Sequence, residues 1–363
     1  MRSTVTGTIW RLPAILLPDG ERRDLWVTPG GRLTDAAPRR GSGPAAVPAH
    51  GAAPGQALPG RFALPGLVDS HIHVTIRNGG PVGIPEAEET LRALPSTGVL
   101  LVRDAGSPGS VTLRLTPAPD RPRLIAAGRF LAPQGRMLAA YHDPVTPETL
   151  IPAALAEIAA GARWVKVTAD WDRDQPLNWE PAVLRALVDA VHAAGARVAA
   201  HTQWAGVAAV VAAGIDSIEH GCSLDADTVA TMAARGTAWT PTLTAFNKPF
   251  TPDLPVDVRE FWEDIRANMR EQLPRAVAAG VTILAGTDND GSLLDEIRHL
   301  VGHGLTPTQA LRAASTHART YLGLPGFAAG ELADVVTFDA DPREDPEVLA
   351  NPVAVVMRGV RIK

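Results

Sequence analysis

Lysine is nearly missing from this chain. Only Lys166, Lys248 and Lys363 occur among the 34 cationic side chains, and arginine supplies the rest. A lysine inside an apolar run therefore stands out, and Lys166 sits in such a run, Trp164-Val165-Lys166-Val167-Thr168. Cysteine is scarcer still. The single Cys222 excludes an intrachain disulfide and any cysteine-built zinc cluster, and it reads as a small buried hydrophobe. A reducing compartment fits that usage. Basic excess is missing too: a net charge of −5 at pH 7 gives no general attraction to nucleic acid or an anionic membrane. The opening MRSTVTGTIWRLPAILLPDG has too short an apolar stretch, broken by prolines, for a signal peptide or membrane span. A cytoplasmic location is the expectation.

What is present is ordinary globular composition, 45% hydrophobic and 20% charged over 363 residues, enough for one barrel of roughly 250 residues plus a small accessory domain. Residues 1–60 carry short strand-like runs (Val5 to Trp10, Ala14 to Leu17, Leu25 to Val27) and then a loose Pro/Ala/Gly stretch from Ala36 to Gly60. Strand character returns near the end in Asp334 to Asp339 and Val353 to Met357. The expectation is a small β-sandwich domain built from 1–60 and 330–363, around a different unit at 61–329.

That middle unit alternates. Strand candidates are Leu67 to His71, Gly98 to Arg103, Arg123 to Ala127, Arg163 to Thr168, Arg197 to His201, Ile215 to Glu219, Thr237 to Thr240 and Val281 to Ala285. Helical patterns occupy Pro147 to Gly161, Pro181 to Gly195, Trp204 to Gly214, Asp225 to Gly236 and Val258 to Gly280. The phrases AAGARV, AAGIDSI and AAGVTIL each put a helix-ending glycine before a buried strand. Strands alternating with helices over this length predict an α/β fold, a (β/α)8 TIM barrel.

Chemistry in such a barrel sits at the C-terminal ends of its strands, and ionisable groups fall there. His71 and His73 share a face of the first strand by its period of two. Lys166 lies in the fourth, and His201, His220 and Asp288 close the fifth, sixth and eighth. Converging imidazole and carboxylate suit a divalent ion such as zinc. Taken singly, each histidine could be a hydrogen-bonded core residue, and Asp288 could be turn chemistry. Lys166 is harder to explain that way, because a buried unpaired ammonium is costly.

The chain resembles the amidohydrolase superfamily, and within it the imidazolonepropionase-like and prolidase-like branch. The resemblance is carried by Leu64-Pro65-Gly66-Leu67-Val68-Asp69-Ser70-His71-Ile72-His73, Val102-Arg103-Asp104-Ala105-Gly106, Trp164-Val165-Lys166, Ala200-His201, Ser217-Ile218-Glu219-His220-Gly221, Thr240-Pro241-Thr242, Ala285-Gly286-Thr287-Asp288 and Gly330-Glu331-Leu332-Ala333-Asp334-Val335-Val336. It implies two divalent metal ions, zinc by expectation. One would be held by His71, His73 and Asp288, the other by His201 and His220, with a carboxylated Lys166 as the bridge. It also implies hydrolysis of a carbon–nitrogen bond of a small molecule by a metal-bridging hydroxide, with Asp288 as proton carrier.

Expected substrate contacts are Arg103, Arg136, Tyr141, His142, Trp171, Gln203 and Trp204, with Trp239 as a further aromatic wall. At Gly135-Arg136-Met137 the chain departs from the histidine between glycines that the resemblance would lead one to expect, so preference for dipeptides does not follow. Lactone or ester hydrolysis and mononuclear deamination on the same fold are the competing chemistries. A catalytically silent binding protein is the reading from outside enzymology, and a homo-oligomer stays open.

Overall fold

Glycine stops the helices where the repeated Ala-Gly phrase places it. In the computed structural model, which describes residues 8–13, 15–37, 55–204, 206–251, 253–324 and 326–363, helix Ala226–Arg235 starts at Asp225, whose carboxylate accepts the Thr228 N–H, and ends on Gly236 at φ 74°. That is the left-handed turn a glycine makes without a Cβ clash. Helices Pro147–Ala159, Pro181–Ala193, Val207–Ala212 and Val256–Ala279 fill the other expected helical stretches.

The strands between them form a ring. Leu67–Ile72, Val99–Asp104 and Arg123–Ala126 pair in parallel. Phe130–Leu131, Trp164–Thr168, Arg197–Thr202, Ser217–His220 and Ala238–Thr240 form a second parallel run in that order. At one seam the Arg163 N–H donates to Ala126 O at 3.2 Å. At the other, residues 282–285 link the last strand to the first: Trp239 N–H to Thr282 O and Leu284 N–H to Trp239 O at 2.9 Å, and Ser70 N–H to Ala285 O at 2.8 Å. The fold is a (β/α)8 barrel.

Two strands differ from expectation for local reasons. The third breaks at 127–129, where the buried Glu157 carboxylate takes the Arg129 N–H at 3.2 Å and leaves no room for a side chain at Gly128. The eighth makes a single β-bridge, because the Ala285 N–H turns to Ala313 O at 3.0 Å. Among the described residues five α-helices had no sequence expectation: Ile84–Ala93, Leu243–Phe246, Leu293–Gly302, Pro307–Ala313 and Thr316–Tyr321.

Both ends of the described chain meet in a β-sandwich. One sheet orders Val360–Arg361, Ala354–Met357, Val335–Phe338, Phe62–Pro65, Ile15–Leu16 and Glu21–Arg22; the other orders Leu33–Thr34, Trp26–Val27, Trp10–Arg11 and Gln56–Ala57. Leu25, Val27, Leu33, Ala63, Val335, Ala354 and Val356 share its apolar core. The expected runs at Val5 to Trp10, Ala14 to Leu17 and Ala36 to Gly60 fall partly outside the described residues. Asp334 joins sandwich to barrel, accepting from Arg123 Nε at 2.8 Å, Arg319 Nη2 at 3.1 Å and the Arg358 N–H at 2.8 Å. Among the described residues no helix is long and apolar enough to cross a membrane.

Candidate metal centre

The first strand aims two imidazoles into the barrel mouth, and hydrogen-bond counting assigns their tautomers. Gly106 O can only accept, so His73 Nδ1, 2.8 Å away, carries the proton. His71 Nδ1 donates to Glu219 Oε2 at 2.6 Å. Burial alone would raise the Glu219 carboxyl, but Arg103 and His71 hold it well below the usual carboxylate range. His220 follows the same logic: the Thr242 hydroxyl gives its hydrogen to Pro241 O at 2.8 Å, so its oxygen accepts from His220 Nδ1 at 2.8 Å. Each ring, when neutral, then presents a bare Nε2 lone pair.

Those lone pairs converge. His71 Nε2 and His73 Nε2 lie 3.3 Å apart, and Asp288 Oδ1 is 3.4 and 3.2 Å from them. Three acceptors so close repel one another unless a proton or a metal cation sits among them. His201 and His220 stand next to this trio, with ring centroids 4.6 Å apart and His220 5.1 Å from His71. Burial holds both rings far below their ordinary pKa, His201 near 3. For His73 burial pulls the same way, but the bond to Asp288 and its charge outweigh it and raise the ring. Asp288, which burial would raise, is held well below its usual range by His71 and His73.

Lys166 lines the same cavity, and burial pulls its ammonium down to about 8. Its Nζ and the Nε2 of His201 are buried polar atoms without a hydrogen-bond partner. In a native interior such orphans are rare and ask for an explanation. A cation bound among these donors would satisfy His201 and relieve the facing lone pairs. Within this described set, His71, His73 and Asp288 alone have ligand atoms all within 4.8 Å of one another.

The backbone here is strained to aim the side chains. His220, Thr242 and Asp288 have φ of 73°, 51° and 52°, a region costly for residues with a side chain and concentrated at functional sites. Gly286 is required by packing: a Cβ there would lie 2.5 Å from the His71 Cβ. Asn289 pins the first strand's end, accepting the His73 N–H and donating to His73 O, both at 2.8 Å.

The expected substrate contacts divide. Tyr141, Trp171 and Gln203 line the cavity of about 980 Å³. Arg103 does not. It is buried in the barrel interior, donating to Glu219 at 2.7 and 2.8 Å and to Ser70 O at 2.6 Å, and stacked 4.7 Å over Trp164. His142 is held in its own loop by Leu138 O and Pro133 O, and Arg136 is half-buried and bonded to Gln175. Trp204 packs on Phe261 at 5.7 Å, and Trp239 is fully buried with its indole N–H on His220 O at 2.7 Å. None of these five is among the residues that line the cavity. Glu219 and Thr242, the hydrogen-bond partners of His71 and His220, were not among the expected site residues. Part of the signal was present: Arg103 and Glu219 are opposite charges inside two apolar strand runs, the second and the sixth.

A parallel barrel that gathers imidazole nitrogens around a carboxylate at its strand ends has a donor set that could hold a cation. Residues 62–362 match the Amidohydrolase family, and the chain belongs to that family of hydrolases. An uncharacterized protein of Mycobacterium tuberculosis is 38% identical over 94% of this chain and 93% of its own length. Ochratoxinase of Aspergillus niger is 29% identical over 56% of this chain and 46% of its own. The ochratoxinase crystal structure superposes with a TM-score of 0.80 at 21% identity, over 98% of this chain and 96% of that one. A prolidase complexed with N-methylphosphonate-L-proline gives 0.78 at 25% identity, over 98% and 100%.

Proposed function

We propose that this chain is a binuclear metal-dependent hydrolase of amide-type carbon–nitrogen bonds in small molecules. His71, His73 and Asp288 would hold one divalent ion and His201 and His220 the other, with carboxylated Lys166 between them. Zinc is the ion best matched to this donor set. The observation that carries the reading is the orphaned Lys166 Nζ facing histidines that offer only lone pairs. A lysine amine adds carbon dioxide only when neutral, releasing one proton to solvent, and burial has already moved Lys166 toward that form.

Ions held there supply Lewis acidity toward a carbonyl and lower the pKa of water. The chain's own residues do the rest. Asp288 keeps about a quarter of its side chain open to the cavity (24%) while its backbone N–H is tied to His71 O at 2.7 Å. It is placed to accept the attacking water's proton and return it to the leaving nitrogen. Glu219, Gly106 O and Thr242 hold the three imidazoles in their ligating tautomers. Residues 61–329 would carry this chemistry, with 1–60 and 330–363 forming the sandwich, and a cytoplasmic location fits the single buried cysteine.

The test is a panel of N-acyl amino acids, dipeptides, neutral amides and lactones assayed before and after chelation. Hydrolysis of an amide that is lost on metal removal, restored by zinc and absent in Asp288→Asn supports the reading. Hydrolysis that survives full chelation contradicts it.

A further inference from the structure

Outside the cluster of histidines, Lys166 and Asp288, the ionisable groups on the cavity wall already have partners. Arg77 Nη1 is 2.9 Å from Glu89, and its Nη2 donates to Glu86 O and Thr90 Oγ1 at 3.1 Å. Asp290 is 2.6 Å from Lys248 Nζ. Asp69 is buried and accepts the Thr287 hydroxyl at 2.7 Å. The Tyr141 hydroxyl donates to Gly79 O at 2.8 Å.

The wall next to the cluster is apolar. Phe130 lies 5.2 Å from the His73 ring and stacks on Tyr141 at 6.2 Å, while Trp171 lies 5.7 Å from His201 on the other side. Met137 and Leu138 continue that surface, and Leu138 is half exposed at the lip (50%). A carboxylate seated here would, among the described residues that line the cavity, find no unpaired cation beyond the cluster. It would have to share the exposed Arg77 with Glu89 at the rim, or lose its hydration against aromatic carbon.

We infer that the site selects neutral substrates: an amide with uncharged aryl or alkyl groups on both sides of the scissile bond, one against Phe130 and Tyr141 and the other against Trp171. This rests on the hydrolase reading above and narrows it away from substrates with a free carboxylate. Aromatic and aliphatic groups gain by burial on these rings, whereas an unpaired ion loses.

The probes are N-(4-nitrophenyl)succinamide and N-(4-nitrophenyl)succinamic acid, which share a skeleton and differ in one charge. With the zinc-loaded protein, nitroaniline release should show kcat/KM for the neutral compound higher by about tenfold or more, the scale of an unpaired buried charge. Leu138→Arg, which places a cation on the lip, should narrow that ratio about threefold or more. Equal kcat/KM, or preference for the acid, overturns the inference and leaves the hydrolase reading standing. Should neither compound be cleaved, saturation-transfer NMR on the same zinc-loaded protein decides. Transfer to the ring protons of the neutral compound, and much weaker transfer to the acid, supports the neutral seat even as the hydrolase reading fails. No transfer to the neutral compound, or equal transfer to both, overturns it.

Discussion

The Glu219 carboxylate lies 2.6 Å from His71 Nδ1 and 2.7 Å from Arg103 Nη2, so one buried anion serves both an imidazole of the candidate metal centre and a guanidinium of the barrel interior. Ser217 adds a third donor at 2.5 Å. Glu219→Gln removes the anion and leaves Arg103 uncompensated. Zinc affinity, measured by chelator competition, should fall about 10–100-fold. Unfolding should show a loss of about 3–5 kcal/mol, the scale for breaking a buried ion pair. Unchanged affinity would mean that His71 needs no oriented partner.

Thr242 offers a cleaner test of the same idea at the other end of the site, because it carries no charge. Thr242→Val keeps the shape and deletes the oxygen that accepts from His220 Nδ1. One of two bound ions should be held about tenfold more weakly, and Thr242→Ser should restore it. Equal ion retention by all three proteins, measured after graded dialysis, would contradict the assignment of His220 as a ligand.

Glu296 makes stability depend on pH. It is fully buried and accepts the N–H groups of Leu243 and Thr244 at 3.0 and 2.8 Å, and burial raises its carboxyl to about 8 from an ordinary 4.5. Between those values the folded chain binds a proton that the unfolded chain does not, so this group's contribution to stability falls as pH rises through the window. The slope is at most about 1.4 kcal/mol per pH unit. Thermal unfolding from pH 5 to 8 (roughly the span between the two pKa values) should lose this slope in Glu296→Gln. An identical slope in both proteins would place the proton elsewhere.

Gly286→Ala tests the close approach of the eighth position to the first strand. Its Cβ would lie 2.5 Å from the His71 Cβ and 2.8 Å from the His71 nitrogen. Backbone has to move, at about 1–3 kcal/mol, and metal binding should weaken with it. A variant with wild-type unfolding and full metal content would show that the strand ends are less constrained than these contacts require.

Much of this was legible because the signals were periodic or rare. Alternation of strand and helix gave the barrel. One lysine in an arginine-rich chain drew attention to Lys166, and the structure leaves its Nζ without a partner. A sequence shows the Arg103 charge but not its partner, Glu219 in another strand, which holds the guanidinium in the barrel interior. The loop partners of His142 (Leu138 O and Pro133 O) and of Arg136 (Gln175) were equally out of reach of the sequence. Helices Leu293–Gly302 and Pro307–Ala313 carried readable capping boxes, Ser292 with Asp295 and Thr306 with Gln309, which the strand-centred reading passed over. The break in the third strand was not legible, since it depends on a carboxylate from helix Pro147–Ala159 reaching a backbone N–H in another element.

The central claim is that Lys166 bridges two ions, and counting metal in Lys166→Ala tests it most directly. Wild type prepared with zinc and bicarbonate should carry about two ions per chain, the complement of a two-metal site, and intact mass should show one added carbon dioxide under native conditions. Lys166→Ala should keep at most one ion with almost no turnover, and Lys166→Glu, an anion of shorter reach, should retain an intermediate amount. Two ions per chain and normal hydrolysis in Lys166→Ala would contradict the account.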